Sequence, residues 1–87
     1  MSWFGDYAEL GGNWIYHLNH GYLYMYPQST PSQIYMWDYA TTDWMYTSST
    51  VYPYLYRFSD NAWLWYQKGS SSPRWFYNLT AGHWESH

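Results

Sequence analysis

The sequence predicts an all-β fold, an antiparallel meander of about nine short strands set in tandem hairpins with a period near twenty residues. Three observations lead there. Tyr, Trp, Phe, Ile and Val alternate with a period of two, as a pleated strand requires, while the good helix formers are sparse. A five-fold echo runs through Gly5-Asp6-Tyr7, Tyr16-His17-Leu18, Trp37-Asp38-Tyr39, Tyr56-Arg57-Phe58 and Tyr77-Asn78-Leu79, followed in turn by Trp14, Tyr22, Trp44, Trp63 and Trp84. Measured on Tyr16, Trp37, Tyr56 and Tyr77, its spacing is 21, 19 and 21 residues, the mark of units that bury apolar surface against their neighbours. Finally, Gly, Asn, Asp, Ser and Pro punctuate the chain where turns are needed.

In chain order, strands are expected at 2–7, 13–17, 22–26, 33–39, 43–47, 52–58, 62–67, 74–79 and 83–86. The first carries Trp3, Phe4 and Tyr7 and leads into a bend at 8–12 that holds Gly11 and Gly12. Trp14-Ile15-Tyr16 and Tyr22-Leu23-Tyr24 alternate on either side of Asn19-His20-Gly21, a turn sequence. The segments from Ile34 and Trp44 flank Ala40-Thr41-Thr42, those from Tyr54 and Trp63 flank Ser59-Asp60-Asn61, and those from Trp75 and Trp84 flank Thr80-Ala81-Gly82. The Ser, Pro and Gly clusters at 27–32, 48–50 and 68–73 are expected to connect successive hairpins.

Alternation separates two faces. Ile15, Leu23, Met36, Met45, Leu55, Leu64 and Phe76 fall on one parity, while Trp14, Tyr16, Tyr22, Tyr24, Tyr35, Trp37, Trp44, Tyr46, Tyr54, Tyr56, Trp63, Trp65, Trp75 and Tyr77 fall on the other. An antiparallel sheet normally packs one face and wets the other, so a sheet apolar on both needs a cover for the second. Closure into a barrel, coiling into a β-solenoid-like stack, or layering against another copy would each supply it.

Residues 1–87 make a single domain, and a chain this short buries only about 60% of its unfolded surface. Eight Trp, 13 Tyr and 3 Phe are more than such a core can hide, and the surplus marks a surface for a ligand or for another copy of the chain. With three basic against six acidic residues the net charge is −3, which argues against nucleic acid and leaves little repulsion between copies. The chain has no cysteine, so disulfides and thiolate metal sites are excluded. No apolar run approaches the ~20 residues of a membrane-spanning helix, and the start shows no secretory signal pattern.

Stretches such as Gly21-Tyr22-Leu23-Tyr24, Trp63-Leu64-Trp65-Tyr66 and Trp75-Phe76-Tyr77 resemble the choline-binding and glucan-binding repeats of bacterial surface proteins. Val51-Tyr52-Pro53-Tyr54-Leu55-Tyr56-Arg57 and Pro73-Arg74-Trp75-Phe76-Tyr77-Asn78, within the span 14–85, look more like the uncharacterised Trp/Tyr repeat tails of large secreted or surface proteins of aquatic bacteria. The resemblance implies an extracellular or cell-surface location and names no activity.

The candidate ligand or interface aromatics are Trp37, Trp44, Trp63, Trp65, Trp75, Tyr56 and Tyr77, whose rings would stack on a sugar face or pack in a core or interface. Asp6, His17, Asp38, Arg57 and Asn78 recur near the bends and are expected to fix turns or to pair across strands, Asp38 with Arg57 for example. Asn78-Leu79-Thr80 is a glycosylation sequon at an expected bend. His17, His20, His83 and His87 lack the spacing of a metal site, and no pair of carboxylates or nucleophile with a base marks an enzyme, so neither metal, cofactor nor catalysis is expected. The function expected is a non-catalytic structural module that self-associates into a homo-oligomer, fibre or repeat stack. The alternative is a glycan- or cell-wall-binding module, and a plain spacer or designed scaffold is the third.

Overall fold

A computed structural model describes residues 2–87. Among them a short 3₁₀ turn, Ser2–Phe4, precedes nine strands: β1 Tyr7–Gly11, β2 Trp14–His17, β3 Gly21–Met25, β4 Gln33–Asp38, β5 Asp43–Ser48, β6 Tyr54–Arg57, β7 Ala62–Tyr66, β8 Trp75–Asn78 and β9 His83–Ser86. They form one antiparallel sheet in which every strand pairs with its chain neighbours, in the order β1 to β9.

The sheet does not close. β1 and β9 are its two edges and do not pair with each other, which corrects the expectation of a closed barrel. The physical reason lies at the start of the chain. Residues 2–4 coil instead of extending, and Phe4, 1% exposed, is driven into the hollow of the curled sheet. There its ring meets His17 at 4.5 Å, His20 at 5.5 Å and Tyr52 at 5.4 Å, while Trp3 Nε1 donates to the Pro31 carbonyl at 2.9 Å. The start of the chain is thus packed as core instead of extending along the sheet, and β1 stays an edge strand.

The first strand is likewise displaced from its expected place. Most of the expected bend, up to Gly11, pairs as β1 with β2, Ala8 opposite Tyr16 and Glu9 opposite Ile15, with an irregularity before Gly11. The reversal itself takes only Gly12 and Asn13, at φ 59° and 67°. Two consecutive residues in the left-handed region make the tight hairpin turn that matches strand twist.

From β2 onward the alternation has the meaning read from the sequence. Ile15, Leu23, Ile34, Met36, Met45, Leu55, Leu64 and Phe76 point inward and are at most 5% exposed. Burying each such side chain contributes roughly 1.5–3 kcal/mol. Trp14, Tyr16, Tyr22, Tyr35, Trp44, Tyr54, Trp63, Trp75 and Trp84 point outward and stay exposed. The concave face is therefore the core, and the convex face is aromatic.

At one end of the sheet the hairpin turns repeat. Residues 18–20 form a three-residue loop before Gly21, and residues 39–42, 58–61 and 79–82 form four-residue loops. Gly21, Thr42, Asn61 and Gly82 occupy the same left-handed station, at φ 75°, 56°, 53° and 80°. The N–H groups of Thr42 and Gly82 close their loops on the carbonyls of Asp38 and Asn78, both at 2.7 Å. Thr is the costly residue there, because a β-branched side chain in that region clashes with its own backbone by ~1–2 kcal/mol. Glycine gives part of that gain back through its freedom in the unfolded chain. Thr42→Gly is expected to raise stability by about 0.5–1 kcal/mol in urea titration; an unchanged or lower midpoint would show that the strain is not there.

Candidate functional site

Four of the five recurrent polar residues sit at the inner rim of the hairpin tips. His17 and Asp38 are 0% exposed, Asn78 3% and Arg57 7%. Three of them tie their own turns. His17 Nδ1 accepts the N–H groups of Asn19 and His20 at 3.0 and 3.1 Å, Asp38 Oδ1 those of Ala40 and Thr41 at 3.0 and 3.2 Å, and Asn78 Oδ1 that of Ala81 at 2.8 Å. The fifth, Asp6, is exposed and lies outside the group. Asn78 also donates its amide to Glu85 Oε2 at 2.8 Å, so a glycan on that nitrogen would break this bond and enter a buried site.

Asp38 does not pair with Arg57, because the register sets Asp38 against Leu23 and Asp43, and Arg57 against Met45 and Ala62. Asp38 instead holds Arg74 by two bonds, Nη1 to Oδ2 at 2.7 Å and Nη2 to Oδ1 at 3.0 Å, with both side chains almost fully buried. Arg57 forms a second cluster, bidentate to Asp60 at 2.9 and 2.7 Å and to Glu85 at 2.6 and 3.0 Å. Arg74 was not singled out in the sequence. It directly precedes β8, two residues before Phe76 and so on the inward parity, where an arginine needs a buried partner; that parity was the signal that could have found it.

The two inner histidines are locked in their neutral form. Arg74 Nη1 can only donate, so His20 Nδ1 accepts it at 2.9 Å, and His20 Nε2–H donates to the Tyr52 hydroxyl at 2.9 Å. His17 Nδ1 already accepts two backbone N–H groups, so its proton sits on Nε2 and bonds the Phe4 carbonyl at 2.6 Å. A second proton on either ring would point at a donor. Burial, with the Arg74 charge beside them, accordingly lowers both, His20 well below the ordinary value of 6.5. Burial next to Tyr66 pushes the Tyr52 hydroxyl above the ordinary phenol range. Arg57 draws Glu85 down to about 2. Every ring nitrogen of this pair is committed to the protein. Among the described residues, no three His, Asp or Glu side chains gather as metal ligands.

The convex face is of another kind. Cross-strand register arranges its rings in rows, one running Trp14, Tyr24, Trp37 and Trp44, the next Tyr35, Tyr46, Tyr56 and Trp63, and a third Tyr54, Trp65, Tyr77 and Trp84. Neighbouring rings meet edge to face: Trp37 and Trp44 at 5.8 Å and 67°, Tyr56 and Trp63 at 5.2 Å and 64°, Tyr77 and Trp84 at 5.3 Å and 74°. Such crossed pairs add about 0.5–1.5 kcal/mol beyond burial. They also tilt the rings away from one flat plane. Of the candidate aromatics, Trp44, Trp63 and Trp75 are exposed, while Trp37, Trp65, Tyr56 and Tyr77 are half-buried by their neighbours. Trp14, Tyr16, Tyr22, Tyr35, Tyr54 and Trp84 share this exposed surface and were not chosen, although parity alone assigns them to it.

Twelve aromatic residues are at least 36% exposed. At ~150–250 Å² for each complete side chain, their exposed parts amount to about 1,000 Å². The largest apolar patch of an ordinary monomer is about 300–600 Å². No outward position of β2 to β9 holds a charged residue. Between the rows, Tyr26, Gln28, Tyr35, Trp44 and Phe58 line a notch of about 380 Å³. No protein-family model, curated protein or solved structure matches the chain.

Two predictions follow from the buried clusters. Below the ordinary imidazole value of 6.5 the unfolded chain takes up two protons that folded His17 and His20 refuse, so stability is full above that pH and falls beneath it, by up to ~1.4 kcal/mol per pH unit for each ring. Glu85 adds a second loss as the pH drops from 4.5 toward about 2. Urea titrations at stepped pH check this, and a midpoint unchanged down to about pH 5 would contradict the neutral assignment. Asp38→Ala leaves Arg74 as an uncompensated buried charge and is expected to cost about 3–5 kcal/mol; a loss below about 1 kcal/mol would show that the pair is not needed.

Proposed function

We propose that the chain is a non-catalytic structural module, extracellular or at the cell surface, that self-associates through its convex aromatic face. The absence of charge from that face is the observation that carries the reading. The charges lie elsewhere: Asp38, Arg57 and Arg74 are buried, Glu85 is held among Arg57, Asn78 and His87, and the rest occupy β1, turns, loops and one inner strand end. A surface meant to remain free in water normally carries mixed charges, which keep copies apart.

The sheet edges point the same way. β1 is irregular before Gly11 and carries Glu9, and β9 is four residues long with an inward Glu85. Short, irregular and charged edges resist strand-to-strand joining. Association by the face is left, with hairpins that follow one another in sequence order like units of a repeat stack. The surface location rests on the resemblance to bacterial repeat tails. Among the described residues, no helix is long and apolar enough to cross a membrane.

Sedimentation velocity over a wide concentration range tests the reading. The mass is expected to grow with concentration, and the triple variant Tyr16→Lys, Trp63→Lys, Trp75→Lys is expected to remain monomeric with its fold intact by circular dichroism. A wild-type chain that stays monomeric throughout overturns it. If Trp emission then shifts on titration with soluble glucan or chitin oligosaccharides, the face binds glycans instead.

A further inference from the structure

The repeat departs from its own pattern in one hairpin of the convex face. In the last three hairpins the outward cross-strand pair next to the tip always includes an indole: Trp37 with Trp44, Tyr56 with Trp63, Tyr77 with Trp84. The β2–β3 hairpin places two phenols there, Tyr16 opposite Tyr22. Their ring centroids lie 4.9 Å apart at 68° between planes, and the residues are 44% and 52% exposed. The other directly opposed tyrosines, Tyr35 with Tyr46 and Tyr46 with Tyr56, include at least one half-buried ring.

Their hydroxyls are free as well. Tyr52, Tyr56 and Tyr66 commit theirs to His20, Asn61 and the Ser70 carbonyl, whereas among the described residues no hydrogen bond holds those of Tyr16 and Tyr22. Two wet phenols held in contact suit one-electron oxidation followed by coupling. Proximity decides the partner: rings already touching within one chain react before a second copy arrives. Tyr39, beyond the end of β4, is the rival partner for Tyr22 and lies further off, at 6.5 Å.

We infer that Tyr16 and Tyr22 are a modification site, joined into dityrosine by a peroxidase-class enzyme with hydrogen peroxide, and that the bond braces the β2–β3 turn. Each phenol gives up one electron and its hydroxyl proton, and the two radicals pair in a carbon–carbon bond between positions ortho to oxygen. Each of those carbons then releases its hydrogen as a proton while its oxygen takes one up, which restores both phenols. The two hydrogen atoms lost in all reduce one hydrogen peroxide to two waters. The braced turn is the one that carries His20 to Arg74. A cross-link across it removes freedom from the unfolded chain.

Peroxidase and hydrogen peroxide, applied to the chain at a dilution where it sediments as a monomer, test the site independently of self-association. The monomer is expected to gain dityrosine fluorescence, to lose the mass of two hydrogen atoms, to show the Tyr16–Tyr22 bond in its peptide map, and to unfold at higher urea. Tyr16→Phe or Tyr22→Phe keeps the ring and removes the phenol; either is expected to lose most of that fluorescence, while Tyr35→Phe retains it. The inference is overturned if the monomer forms no dityrosine, if the bond joins Tyr22 to Tyr39 or Tyr35 to Tyr46 instead, if bonds form only between copies, or if cross-linking leaves the urea midpoint unmoved. Should a Phe variant unfold by circular dichroism, the peptide map of the unaltered chain decides.

Discussion

The buried pair of Arg74 and Asp38 is the interaction on which the body of this protein depends. A meander joins each strand only to its chain neighbours, so strand pairing alone would give a long twisted ribbon with its aliphatic face in water. Arg74 reaches across 36 residues to Asp38 and 54 residues to His20, fastening the segment before β8 to the end of β4 and to the β2–β3 turn. Once that seam is made, the open sheet is held curled and the core side chains leave water together. Placing two charges there is costly, and the cost is offset by the two bonds the guanidinium donates to Asp38 and the third it donates to His20.

The seam also explains why the inner histidines are neutral. His20 can serve as an acceptor for Arg74 only while Nδ1 is bare, and His17 supports the turn that holds His20 only while its own Nδ1 is bare. A proton on either ring opposes the charge that curls the sheet. Acid sensitivity is thus a consequence of how the curl is fastened, independent of any ligand.

Much of this fold was legible in the sequence because the repeat states it several times. Eight strands and all the later hairpin bends follow from parity and turn residues, since Ile15, Leu23, Leu55 and Leu64 can be packed from one side only. The first hairpin was misplaced because Gly11 and Gly12 read as a long bend, whereas Glu9 and Ala8 extend along β2 and the turn needs only Gly12 and Asn13. Phe4 looked like a strand residue and is a plug. Parity puts Arg74, two residues before Phe76, on the inner face, but which distant residue answers a buried charge leaves no periodic trace, and Arg57 was given the wrong partner for the same reason. The residues that break the repeat are the ones that make long-range contacts.

A single curled sheet has two apolar faces and can hide one. The outer face remains tolerable in water because its side chains are Tyr and Trp, whose polar tips reach solvent while their rings cover one another edge to face. Leucines in those positions would give the same area without the tips and without the crossed packing. The tyrosines therefore let the chain fold without a cover on its outer face. Under the proposed self-association, folding and assembly would use opposite faces of the same strands, so a change on the convex side would abolish assembly without reaching the core.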